Sequence, residues 1–153
     1  MIVFGFEIPA NLEISQQDFE PVVDAVFEHF SLDQKDFSVG ITLTDDHGIQ
    51  QLNNQYLGID RPTDVLSFEA HEFDPDTETT YLGDIIISYE KAQRQAERAN
   101  HSFKTEILLL TMHGLLHIMG FDHNDQASKD EMWQLQADLL HQACVFPKQL
   151  PED

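Results

Sequence analysis

Two hydrophobic periods alternate along the chain. In IVFGFEI (2–8) and FSVGITLT (37–44), alternation and β-branched residues predict strands. Between them Phe19, Val22, Val23, Val26, Phe27 and Phe30 recur at helical spacing, after a Ser15…Asp18 pair suited to cap a helix start. That Phe stripe reads as core. Asp45 or Asp46 opens a short helix to about Tyr56, and Gly58 and Pro62 punctuate the loop that follows. Residues 65–68 read as a short strand. EAHEFDPDTE (69–78), with five acids and no base, reads as an exposed loop, and LGDIIIS (82–88) as a strand covered on both faces.

The C-terminal half reads as three helices. Ser88 caps the first. Ser102 caps the second, FKTEILLLTMHGLLHIMG, which is apolar nearly all round and is therefore expected to be buried. The third runs from about Ala127 to His141, with Met132, Leu135 and Leu139 inward. Strands and helices thus intermix without an internal repeat or linker. The pattern predicts a single α/β domain over 1–153, with a small mixed sheet of about four strands packed by helices. Residues 148–153 read as a flexible tail.

Composition narrows the chemistry. Cys144 is the single cysteine, so neither an internal disulfide nor a cysteine-based zinc site is available, and a reducing compartment suits the chain. The N-terminal stretch lacks the basic start and long apolar run of a signal peptide, and no apolar run reaches the ~18 residues of a membrane span. The chain is expected to be cytoplasmic, without a membrane partner. Against 28 acidic residues stand eight lysines and arginines, a formal net charge of −20 that discourages non-specific polyanion binding. The bases gather in the middle as Arg61, Lys91, Arg94, Arg98 and Lys104. Lys91, Arg94 and Arg98 share one side of a helix, which reads as a solvated face.

The sharpest constellation is H-x-x-x-H-x-x-G-x-x-H over 113–123. His113 and His117 project from one side of the buried helix, Gly120 can end it, and His123 returns after the turn. Three imidazoles around a tetrahedral ion leave a fourth position for water, the arrangement of a catalytic zinc site. A structural site would need a fourth side chain, for which Cys144 or His71 is available. The metzincin proteases share this spacing but place a glutamate after the first histidine, and Gly114 stands there instead.

With these motifs the chain resembles the YbeY family of bacterial endoribonucleases. PTDVLSF (62–68) and LGDIIIS (82–88) match family signatures, and HGLLHIMGFDH (113–123) matches the family's H-G-x-L-H-x-x-G-[YF]-D-H motif at every specified position. The resemblance implies a small α/β fold and one Zn²⁺ per chain on His113, His117 and His123. It implies zinc-dependent cleavage of single-stranded RNA in 16S rRNA 3′-end maturation, small-subunit biogenesis and rRNA quality control. The partners implied are ribosomal RNA, the small subunit, and ribosomal proteins or an assembly GTPase.

Two positions depart from the family pattern. Leu57 stands where an arginine implicated in activity is usual, and Glu69 where proline is common. Arg61, four residues on, is the candidate replacement, so His113 and Arg61 are the expected catalytic pair. Asp122, Asp64 and Asp84 are candidates for a base, for orienting a ligand, or for capping turns. The alternatives are a zinc hydrolase of peptides or small substrates, and an assembly factor with a structural metal.

Overall fold

The computed structural model describes residues 1–5, 11–122 and 124–148. Strand β1 (Ile2–Phe4) leads to a 3₁₀ turn (Gln16–Phe19) and helix α1 (Glu20–His29). Strand β2 (Phe37–Thr44) and helix α2 (Asp46–Leu57) follow, then strands β3 (Val65–Asp74) and β4 (Thr79–Ser88). Helices α3 (Tyr89–Ala99), α4 (Phe103–Ile118) and α5 (Gln126–Gln142) complete the order. The predicted first strand is present through Phe4, and its residues 6–8 lie outside the described residues, as does the predicted tail from 149.

The sheet is mixed, as expected, in the order β1-β2-β4-β3. β1 and β4 run parallel to β2, and β3 pairs antiparallel to β4 at the edge. Val39, Ile41, Leu43, Ile85 and Ile87 of the two central strands point into one core with Val22, Val26 and Phe27 of α1 and the apolar side chains of α4. Alternation sends Leu66 and Ile86 to the other face, where Ile49 of α2 covers them. One face thus carries the buried helix and the other a thinner layer.

One expectation fails in part. The acidic stretch 69–78 is largely exposed but is a loop only at 75–78: Glu72, Phe73 and Asp74 pair with Tyr81, Thr80 and Thr79, so β3 and β4 form a long hairpin. Backbone hydrogen bonding to β4 needs no apolar side chains, and exposed carboxylates on an edge strand discourage pairing with another chain. The register shifts between Glu69 and Glu72, and His71 in that bulge has φ 48°.

Capping follows the sequence closely. The side chains of Asp45, Ser88 and Ser102 accept from the backbone N–H groups of Gly48, Lys91 and Thr105. α4 is buried along most of its length, as expected of a helix apolar on all sides. Gly114 lets it lie close against the sheet, because a Cβ there would come within 2.9 Å of Ile85. Gly120 ends it with φ 98°: Gly120 N–H donates to the His117 carbonyl and Phe121 N–H to that of Leu116. This bond pair is the Schellman stop that glycine favours. Among the described residues, no helix is long and apolar enough to cross a membrane.

Candidate metal centre

α4 presents His113 and His117 one turn apart, with Nε2 atoms 3.1 Å apart and rings edge to face at a centroid distance of 4.7 Å. Two nitrogens each ~2.0–2.1 Å from a tetrahedral ion lie about 3.3 Å apart, so the spacing fits a shared metal. His113 is buried, and its Nδ1 lies 2.9 Å from Oε1 of Gln136 on α5. In that arrangement Nδ1–H donates to the amide oxygen. The remaining proton-free Nε2 is the tautomer a metal requires. The Trp133 ring lies 5.8 Å from His113 and further limits its freedom.

Gln136 was not singled out in the sequence. It is fully buried, and among the described residues its Nε2 has no hydrogen-bond partner. A legible signal existed, since it stands four residues after Met132 and three before Leu139, in the apolar stripe of α5. Gln136→Leu keeps the volume but removes the acceptor on His113. Zinc affinity is expected to fall about 10–100-fold, as for other groups that orient a ligand. A competitive chelator titration checks this, and thermal melting of the apoprotein shows whether the fold is unchanged.

The third predicted ligand, His123, lies outside the described residues. Among the described residues no third His, Cys, Asp or Glu joins His113 and His117. His71 instead places Nε2 3.1 Å from the Ile118 carbonyl, satisfying a free acceptor at the end of α4, and Cys144 is exposed. Gly114 faces Ile85 of the sheet, so a side chain at the position of the protease glutamate would meet the core.

The candidate bases have structural work. Asp64 accepts from Val65 N–H at 2.7 Å and from Gln95 Nε2 at 3.3 Å. Asp84 accepts from the Tyr81 hydroxyl, and burial followed by that carboxylate pushes the phenol above its usual range. Asp122 accepts from Asn124 N–H in the turn after α4.

Arg61 is exposed on the loop before β3, where its carbonyl accepts from buried Asn53 at 2.9 Å. Among the described residues no hydrogen bond or ion pair joins it to His113 or His117. It lines a groove together with Leu57, so the departure position and its candidate replacement share one surface. The predicted basic stripe divides: Arg94 pairs with Asp46 at 2.8 Å, Arg98 is exposed, and Lys91 lines the Arg61 groove.

A profile of the family described as Endoribonuclease YbeY matches residues 7–143. The chain belongs to the YbeY endoribonuclease family. It is 43% identical over 120 residues to an Endoribonuclease YbeY of Desulfitobacterium hafniense, covering 74% of this chain and 76% of that protein. A Heliobacterium modesticaldum member is 38% identical over 141 residues, covering 86% and 85%. A Picosynechococcus member is 47% identical over 116 residues, covering 72% and 71%. The solution structure of a Thermotoga maritima protein superposes with a TM-score of 0.62 at 28% identity, over 94% of this chain and 89% of that one. The family match takes in all three motifs, from Pro62 through the residue after Asp122.

Proposed function

We propose that the chain is a zinc-dependent endoribonuclease of single-stranded RNA, acting in the cytoplasm on 16S rRNA 3′-end maturation, small-subunit assembly and rRNA quality control. Family membership supports the reaction class. The observation that carries the metal dependence is the 3.1 Å approach of two Nε2 atoms, one of them on the His113 ring that Gln136 orients. In this reading His113, His117 and His123 hold one Zn²⁺. Bound zinc supplies Lewis acidity and a water acidified to a pKa of about 7.

The side chains do the rest. Gln136 keeps the His113 lone pair on the metal side. The Arg61 guanidinium, with donors in a planar fork, grips a phosphate of the strand. A structural metal is disfavoured because neither His71 nor Cys144 reaches the histidine pair. A protease is disfavoured because the position of its glutamate faces the core.

The test is cleavage of an unstructured ribosomal RNA fragment and of its duplex, with metal analysis alongside. One zinc per chain is expected, with single strands cut, duplex spared, activity lost to a chelator and regained with zinc. Full activity in metal-free protein would overturn the metal dependence. Casein hydrolysis without RNA cleavage would favour a different zinc hydrolase.

A further inference from the structure

Helix α5 buries Met132, Leu139 and Leu140 in the core and packs Leu135 against it. Trp133, the chain's single tryptophan, stands among them in sequence yet belongs to neither apolar cluster. An indole carries one of the largest apolar surfaces of any side chain, and the core does not use this one.

Among the described residues its ring contact is with His113, at a centroid distance of 5.8 Å and an interplanar angle of 32°. The side chain is partly exposed. No described residue accepts from its indole N–H, and that nitrogen is not one of the buried polar atoms left without a partner. The N–H therefore reaches the surface. The indole leans on a histidine of the candidate metal centre while part of it stays open to a ligand.

Position along the helices places it at the rim of that centre. Gln136, three residues on, is fully buried and meets Nδ1 of buried His113. Trp133 and His117 are both partly exposed, and each lies nearer the α4–α5 turn than its buried counterpart.

Charge favours a base over a phosphate as the group received here. The depression beside the α4–α5 turn is bordered by Asp122 and Glu131 and by no lysine or arginine. A phosphate is repelled by such a border, whereas an aromatic face takes any nucleobase without needing charge. An unpaired strand can turn a base onto that face, but a duplex keeps its bases stacked on one another.

We infer that Trp133 is a stacking platform for an unpaired base beside the scissile phosphate, a positioning residue that helps the enzyme select single strands. The inference rests on the nuclease reading for the identity of the strand. Contact with His113 ties the platform to the centre, so the base it holds sets which phosphate lies over the histidines.

Because the chain has no other tryptophan, indole emission reports this one position. The test titrates as-purified protein with an unstructured oligoribonucleotide and with an abasic ribose-phosphate strand of equal length. A gel checks strand integrity, and zinc content is read for every variant. The base-bearing strand is expected to quench the emission and the abasic strand to leave it unchanged. Binding is then followed by anisotropy of labelled strands. Trp133→Leu is expected to weaken the base-bearing strand about 10-fold, within what one base–aromatic stack supplies. Affinity for the abasic strand should stay as it was. So should the slope of log affinity against log salt, since no charge is removed. Trp133→Phe keeps an aromatic face and is expected to recover most of the loss.

An indole that only braces the His113 ring predicts a different pattern, in which Trp133→Leu lowers zinc content and weakens both strands alike. That pattern would overturn the platform. So would an absent quench in the wild-type protein, a result that requires no variant to fold. Quenching by the base-bearing strand alone, with the strand left uncut, would sustain the platform and sink the nuclease reading. Zinc-dependent cleavage without quenching would do the reverse.

Discussion

His117→Ala is expected to remove zinc and abolish RNA cleavage while leaving the chain folded. The ring is only half-buried at the last turn of α4, so its loss costs little packing. Its Nε2, however, lies 3.1 Å from that of His113. On the proposed reading, in which His113, His117 and His123 would hold one zinc, the variant loses one of the three holding side chains and with it the Lewis acidity and acidified water that zinc would supply. A fall of at least about 10³-fold in kcat is expected, given that single oxyanion-stabilising contacts are worth ~10²–10³. Metal analysis should read close to zero zinc per chain. Cleavage that survives in this variant, with zinc absent, would mean that the histidine pair is not where the reaction occurs.

His101→Leu is expected to produce a large loss of stability and no direct loss of chemistry. His101 and Glu106 are 2.8 Å apart with side chains only 3% and 4% exposed. Lys148 N–H donates to His101 Nδ1 at 3.0 Å, so the ring proton sits on Nε2 and donates to the Glu106 carboxylate. Burial, first, raises the Glu106 pKa, Asp64 adds to the rise, and His101 opposes it. Leucine leaves the carboxylate buried without its partner, a loss of about 3–5 kcal/mol. A domain of this size should melt lower by on the order of 10 °C.

The pH dependence has a definite sign. A carboxylate whose folded pKa is raised favours the fold below its unfolded pKa, and that contribution disappears as pH rises through the folded pKa. Without His101 the rise grows, so the deficit of His101→Leu is expected to be widest at neutral pH and to narrow on acidification. Thermal melts across pH check this. Glu106→Leu added to His101→Leu should recover much of the loss, because two apolar groups of similar volume replace a broken pair. A deficit independent of pH would show that packing, not the stranded charge, is responsible.

The structure's agreements and departures with the sequence divide by range. The caps at Asp45, Ser88 and Ser102 and the stop at Gly120 were legible because each is a hydrogen bond among residues within a turn or so of one another. The Phe and Val stripe of α1 and the uninterrupted apolar run of α4 were legible because burial is written into period and composition. The acidic hairpin was not legible, because its strand character comes from backbone pairing with residues already assigned elsewhere.

His113 and His117 illustrate both sides within one site. Their shared helix face follows from a spacing of four, whereas the tautomer of His113 depends on Gln136, 23 residues away on another helix. Lys91 and Arg61, likewise, belong to a stripe and a loop until α3 and α2 are packed on the sheet. The sequence alone determined the helices and their caps, the family and the pair of imidazoles on one face. Tertiary structure decided which polar groups meet: Gln136 with His113, and the backbone of Lys148 with the His101 that also holds Glu106. Local hydrogen bonds and hydrophobic period are properties of neighbouring residues, but a buried donor finds its acceptor only after distant segments have packed.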